Sequence, residues 1–372
     1  MGGWQTLSLG LVIQLEYGKP LDSADRSPTG LYPAYGANGE KDRTNKFYRD
    51  SPSIIVGRKG SAGEITLTED KYWPLDVTYF VEFDSNRYDL RFLYYLLTTL
   101  ALPSLAKGVK PGINRNEVYA LPVSVPPLPE QRRIVAILDE AFEAIATAKA
   151  NAAKNLQNAR ELFATHRDHL YRANWPVVRI ENACESVMDC VNKTAPIVDE
   201  VTSFKMIRTT NVRNGKVSVE RVNYVTEEVF RQWTRRQVPQ SGDVILTREA
   251  PMGEVGMLVG NERIFLGQRL VSYRANPAML DKSFLLYALQ SKLLQQQIHA
   301  RASGSTVQHM RVPDSKNLNL PLPCLERQRE VVVTLDALKD ETENLAEIAV
   351  RKGAGLDELK KSLLHQAFSG AL

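Results

Sequence analysis

Cysteine is scarce in this chain. Cys184, Cys190 and Cys324 are the only three in 372 residues, and none stands in a CxxC pair. That excludes a zinc ribbon or a CxxC redox motif and predicts three buried apolar residues of a reducing compartment. The five histidines form no HExxH; His166 and His169 lie three apart without a third ligand, so no metal is expected. No run of about 18 apolar residues is present, which excludes a transmembrane helix. Residues 7–15 are too short and lack the basic lead of a signal peptide. GxxxxGK[ST], GxGxxG and GxSxG are all missing. Asn276-Pro277-Ala278-Met279 lacks the second proline and the aromatic ring of an amino-methyltransferase motif. Pro313-Asp314, followed by Glu326-Arg327-Gln328, lacks the lysine of a PD…ExK nuclease. The chain is expected to be no enzyme by itself, to bind no cofactor and to work in the cytoplasm away from any membrane.

What is present is a duplication. After Pro126-Pro127, neither proline nor glycine occurs from Glu130 to Tyr171. Ile134, Leu138, Ala141, Ile145, Ala148, Ala152, Leu156, Ala159, Phe163, His166 and Leu170 recur three or four apart, which predicts one long helix over 126–171. A second such segment fills 321–372: Val331, Leu335, Leu338, Thr342, Leu345, Ala349, Leu356, Leu359 and Leu363 make a heptad-like seam. Gly353 and Gly355 fall within it and are expected to loosen or bend that helix. Gln131-Arg132 and Leu138-Asp139 recur 197 residues later as Gln328-Arg329 and Leu335-Asp336. The parts before the helices match too: Arg58 and Gly63 return 190 residues later as Arg248 and Gly253, and Phe92-Leu93 return 192 later as Phe284-Leu285. Matches in one order with drifting offsets indicate diverged copies. The expected plan is 1–125 globular, 126–171 helix, 172–320 globular, 321–372 helix.

Within the first globular part, Tyr32-Pro-Ala-Tyr35-Gly36-Ala-Asn38-Gly39 reads as a hairpin tip with Lys41 and Arg43 just behind it. It is either a plain turn or a means of presenting an amide and aromatic rings to bases. Residues 53–67 read as strand, turn, strand, with glycines beside Arg58, Lys59 and Ser61. This turn suits an anion, and either a DNA phosphate or a guanine edge fits it. Residues 89–105 look helical, and Lys107, Lys110 and Arg115 form a flexible basic loop. In the second part, Arg208, Thr209, Asn211 and Arg213 precede an Asn-Gly turn. Gln268, Arg269, Ser305, Thr306 and Gln308 are polar groups of the base-reading type.

The total of 47 basic and 43 acidic residues hides an uneven distribution. Residues 172–320 carry 20 basic and 14 acidic side chains, whereas residues 1–125 carry 14 of each. The globular parts therefore suit contact with a polyanion, and the helices suit contact with protein.

Leu128-Pro-Glu130-Gln131-Arg132, Tyr32-Pro-Ala-Tyr35-Gly36-Ala-Asn38-Gly39, Ile55-Val-Gly57-Arg58-Lys-Gly60, Gly304-Ser-Thr306 and Leu363-Leu364-His-Gln366-Ala-Phe368 together resemble the specificity subunit of type I restriction-modification systems. The resemblance spans nearly the whole chain. It departs where Leu325-Glu326-Arg327-Gln328 stands for Leu-Pro-Glu-Gln. It implies an α+β fold of two target-recognition domains separated by a pair of long antiparallel coiled-coil helices with an internal pseudo-two-fold repeat. Each domain would read one part of a split site on double-stranded DNA. Contacts would come from Tyr35, Asn38, Lys41, Arg43, Arg58, Lys59, Ser61, Lys107, Lys110 and Arg115 in one half. In the other they would come from Arg208, Thr209, Asn211, Arg213, Arg248, Gln268, Arg269, Ser305, Thr306 and Gln308. Gln131, Arg132, Gln328 and Arg329 would dock partners: two methyltransferase subunits holding S-adenosylmethionine, and in some systems a motor–nuclease subunit using ATP and Mg2+. Alternatives are a coiled-coil protein-interaction scaffold and the specificity component of a type IIB/IIG-like enzyme.

Overall fold

The computed structural model describes residues 3–171, 174–303 and 308–372. The chain forms two compact units: residues 1–153 together with 350–372, and residues 154–349. Both are mixtures of helix and strand.

The first unit is built on the antiparallel sheet order Gln14–Tyr17, Thr78–Glu82, Ser53–Gly57, Ile65–Thr68. All five residues of Ser53–Gly57 are buried, as expected of a strand covered on both faces. A second sheet joins Gly39–Thr44, Tyr32–Gly36 and Trp73–Pro74, so the expected hairpin forms. Helix Leu90–Thr99 packs Phe92, Leu93, Leu96 and Leu97 into the core. The helical stretch foreseen over 89–105 is thus a helix followed by a separate 3-10 turn at Leu102–Leu105.

The second unit repeats this frame. Cys184–Asp189, Leu270–Ala275, Val244–Thr247 and Val255–Met257 lie in the same order, extended by Gly215–Val217 and Val212–Arg213. Helix Lys282–Gln290 takes the place of Leu90–Thr99. In each unit a strand near the start pairs antiparallel with the strand that leads into a long helix: Gln5–Ser8 with Pro122–Val125, and Val177–Arg179 with Asn319–Pro321.

The long helices run Leu128–Leu170 and Leu325–Ser369. Within the first unit, Ile134 and Leu138 are buried in the core that Ala367 joins, and Ile145 is buried further along the helix. The Phe92 and Phe368 rings meet at a tilt with centroids 5.2 Å apart, and Lys360 Nζ sits 4.7 Å from the Phe142 ring. Arg133 donates to the Leu372 carbonyl at 2.8 Å and Lys149 pairs with Asp357, so the two helix segments in this unit run antiparallel. Leu359, placed in the seam by its spacing, is 46% exposed and lies off it.

The expected bend at Gly353 and Gly355 is corrected: the helix is continuous through both. A Cβ at either position would meet no atom within 4 Å, so neither glycine makes room for a neighbour. Helical flanks and packing outweigh a penalty of about 1 kcal/mol each. The expectation of three buried cysteines also needs correction. Cys184 and Cys190 are buried, but Cys324 is exposed just before the last helix. Burial pushes the Cys184 thiol up to about 12, which makes it an inert apolar residue. Among the described residues no cluster could hold a metal ion, and no helix is long and apolar enough to cross a membrane.

Candidate nucleic-acid interface

At one end of the central strand of each unit the backbone builds the same frame. Gly57 leads into the turn 57–63, and the Gly63 N–H donates back to the Gly57 carbonyl at 2.7 Å. Gly253 does the same to Thr247 at 2.9 Å. Both glycines lie in the left-handed region, at φ +86° and +94°, where a side chain would be strained. The Arg58 N–H donates to the Val77 carbonyl at 2.9 Å and its carbonyl accepts from Ile113 at 3.1 Å. Arg248 repeats both bonds, to the Arg269 carbonyl at 2.8 Å and from Met310 at 2.9 Å. Ile113 and Met310 therefore occupy equivalent places.

On this frame the first unit gathers cations. Lys59 bridges to Gly112, Lys107 bridges to Gly112, and the Gly60 N–H donates to the Pro111 carbonyl at 2.9 Å. The turn carrying Arg58, Lys59 and Ser61 is thereby zipped to the loop carrying Lys107 and Lys110. A Cβ on Gly57 would lie 2.4 Å from the Ala37 carbonyl oxygen, so the hairpin tip presses directly on this turn. Asn38, Lys41, Lys59, Ser61, Lys107 and Lys110 are exposed. Of these cations Lys107 pairs with Glu117 at 2.6 Å, so Lys41, Lys59 and Lys110 carry the exposed charge of this face.

Sequence reasoning missed Tyr17. It ends the edge strand Gln14–Tyr17, is 48% exposed, and lies 5.1 Å from the Tyr79 ring. The Arg58 and Arg115 guanidinium carbons are each 5.4 Å from its centroid. Burial, reinforced by the Tyr17 hydroxyl, pushes the Tyr79 phenol up to about 12 against the pull of those two cations. An isolated tyrosine at a strand end carries no signal of this in the sequence.

The second unit presents a concavity of about 390 Å³ instead, lined by Lys193, Arg208, Thr209, Gln268 and Arg269 over Ile197 and Met206. Thr209 donates to the Ala250 carbonyl at 3.3 Å, which ties its segment to the turn after Arg248. Arg269, at φ +68°, pairs with Glu249 at 2.8 Å. Gln308 is exposed beside this frame, whereas Ser305 and Thr306 lie outside the described residues.

Burial corrects the expected contacts at Arg248 and Asn211, and Arg213, Arg43 and Tyr35 also have partners within the protein. Arg248 is 6% exposed and donates to the Met310 carbonyl at 2.8 Å, so its guanidinium holds Met310 from inside. Asn211, also 6% exposed, accepts from the Arg208 N–H at 2.8 Å and donates to the Arg221 carbonyl at 2.9 Å. Arg213 donates to the Thr209 carbonyl at 2.7 Å. Arg43 donates to the carbonyls of Gly30 and Leu31 at 2.7 and 3.0 Å, which fixes a neighbouring loop. Tyr35 is half-buried, with its ring 6.1 Å from Tyr72.

Partner docking is corrected for Gln131 and Gln328, which are 1% and 0% exposed. Gln131 accepts the Asp89 N–H and donates to the carbonyls of Arg87 and Pro126. Gln328 accepts the Asp281 N–H and donates to those of Met279 and Pro323. Asp89 and Asp281 cap the helices that follow them. These glutamines lock each globular part to its long helix, while Arg132 and Arg329 beside them are exposed.

The family model for the type I restriction modification DNA specificity domain matches residues 1–155 and again 173–350. The type I restriction enzyme MjaVIII specificity subunit of Methanocaldococcus jannaschii is 23% identical over 99% of this chain and 93% of its own length. The EcoBI specificity subunit of Escherichia coli is 20% identical over 78% of this chain and 68% of its own. The HsdS subunit from Thermoanaerobacter tengcongensis shares the fold at TM-score 0.61, with 21% identity, covering 100% of this chain and 98% of that one. A chain from a structure concerned with assembly and conformational transition of the type I restriction-modification system matches at TM-score 0.78, with 20% identity over 100% and 99% of the two chains. With two specificity domains on one repeated frame, the chain belongs to the specificity subunits of type I restriction-modification systems, non-catalytic components whose general role is DNA recognition.

Proposed function

We propose that this chain reads a bipartite DNA site, one part through each recognition unit, and docks methyltransferase subunits through its long helices. One observation carries the reading. The two units share a backbone frame at Arg58 and Arg248 but display different exposed groups on it. Equal frames with unequal side chains suit two unlike half-sites. Lys59, Lys107, Lys110 and Arg115 serve the first, and Arg208, Thr209, Gln268 and Arg269 serve the second, with phosphate contacts positioning and base contacts specifying.

The long helices set an uncontacted gap between the parts, and exposed Arg132 and Arg329 belong to the docking surface for two methyltransferase subunits. Those partners hold S-adenosylmethionine and methylate the DNA; ATP and Mg2+ enter only with a motor–nuclease subunit. The work takes place in the cytoplasm, where the DNA is. Mapping methylated bases after co-expression with the partner subunits tests this. A split motif is expected, and exchanging residues 174–320 for another family member's should change one part only. A continuous motif, or a change in both parts, refutes the reading.

A further inference from the structure

We propose that Tyr17, Arg58 and Arg115 form a clamp for the phosphodiester backbone of DNA, and that the first recognition unit alone possesses it. The inference rests on the reading that this chain binds DNA. It assigns Arg58 to the backbone and not to a base edge, and it makes Tyr17 the positioning residue.

The geometry is that of a mount. Tyr17 is held by antiparallel pairing with Tyr79 and by the neighbouring ring at 5.1 Å. Two guanidiniums lie 5.4 Å from its centroid. Each is attracted to the ring, but they repel one another, and among the described residues neither forms an ion pair with a carboxylate, while nearby Glu117 is taken by Lys107 at 2.6 Å. Two like charges brought to one exposed ring favour an anion beside them. Nε and Nη2 of Arg58 already donate to the Asp76 carbonyl, at 3.2 and 2.6 Å. That occupies one edge of the fork that a bidentate contact with guanine could use, and leaves a charge directed by its loop. A Cβ on Gly60 would meet nothing within 4 Å, so the zipped turn is open on its outer side to a close-lying strand.

The second unit repeats the backbone bonds at Arg248 but, among the described residues, lacks the clamp. Asp189 pairs with Val271 where Tyr17 pairs with Tyr79, so an acid stands at the tyrosine's place, and it binds Arg236 at 2.8 Å. Arg248, the counterpart of Arg58, is buried. An anion is therefore attracted at one unit and disfavoured at the equivalent point of the other.

The test uses the complex assembled with its methyltransferase subunits and measures DNA affinity against salt, on a cognate and an unrelated duplex. Arg58→Ala and Arg115→Ala should each weaken binding roughly tenfold on both duplexes and lower the salt slope by about one. Tyr17→Ala should do likewise with unchanged thermal stability, and Tyr17→Phe should restore binding, because the ring and not the hydroxyl carries the mount. A loss confined to the cognate duplex would make Arg58 a base reader and overturn the clamp. Wild-type affinity in all three alanine variants would overturn it as well, as would Tyr17→Phe failing like Tyr17→Ala. A wild-type complex without DNA affinity would instead sink the specificity reading itself, and the clamp with it.

Discussion

Gln131 accepts the backbone N–H of Asp89 at 2.8 Å from a site in which only 1% of its own surface remains exposed. Its amide nitrogen donates to the carbonyls of Arg87 and Pro126, at 3.0 and 2.8 Å. Three backbone groups from two segments therefore depend on one side chain at the head of a long helix. Only an amide offers an acceptor and two donors in that shape.

Gln131→Leu should leave all three groups without a partner. At about 1–3 kcal/mol for each buried unsatisfied group, with incomplete additivity, a loss of roughly 3 kcal/mol is expected. Gln328→Leu should cost a similar amount in the second unit. Urea unfolding followed with probes in each unit checks this; a change below about 0.5 kcal/mol would show that the clasp is dispensable.

Gly353→Ala and Gly355→Ala should stabilise the protein by roughly 0.5–1 kcal/mol each, because both sit inside a continuous helix with open space at the Cβ position. A raised melting temperature is the expected result. A fall would mean that the helix needs a break there, as the sequence had suggested.

Arg248→Met should behave unlike Arg58→Ala. Removing the buried guanidinium leaves the Met310 carbonyl without its 2.8 Å donor, which should lower stability by about 1–3 kcal/mol. The salt dependence of DNA binding should not change, because the group is internal. A reduced salt slope with normal stability would place Arg248 at the DNA after all.

Alkaline pH should destabilise the first unit. Burial and the bond to Asp139 push the Tyr95 phenol up to about 12 from an unfolded value of 10.0. As pH rises past that lower value the unfolded chain gives up its proton first, so stability is complete below it and is lost on the way up to about 12. Tyr95→Phe should make that alkaline limb shallower in denaturation experiments at fixed temperature. An unaltered limb would show that Tyr95 does not contribute to it.

The duplication, both long helices, the hairpin at Asn38-Gly39 and the turn at Arg58 were legible in the sequence because each is local. Helical period, turn-forming pairs and spacing between copies depend on neighbours along the chain. The direction a side chain takes is not local. Arg58 and Arg248 share spacing, a glycine five residues on and backbone hydrogen bonds, yet one faces a tyrosine at the surface and the other turns inward to Met310. Gln131 looked like part of a surface motif because polar residues favour water, but three backbone groups hold it inside. Local order along the chain determined which elements form and that they form twice. Only packing between distant segments decided which polar groups satisfy the interior and which are left for a ligand, because a buried donor or acceptor must find a partner wherever the fold supplies one.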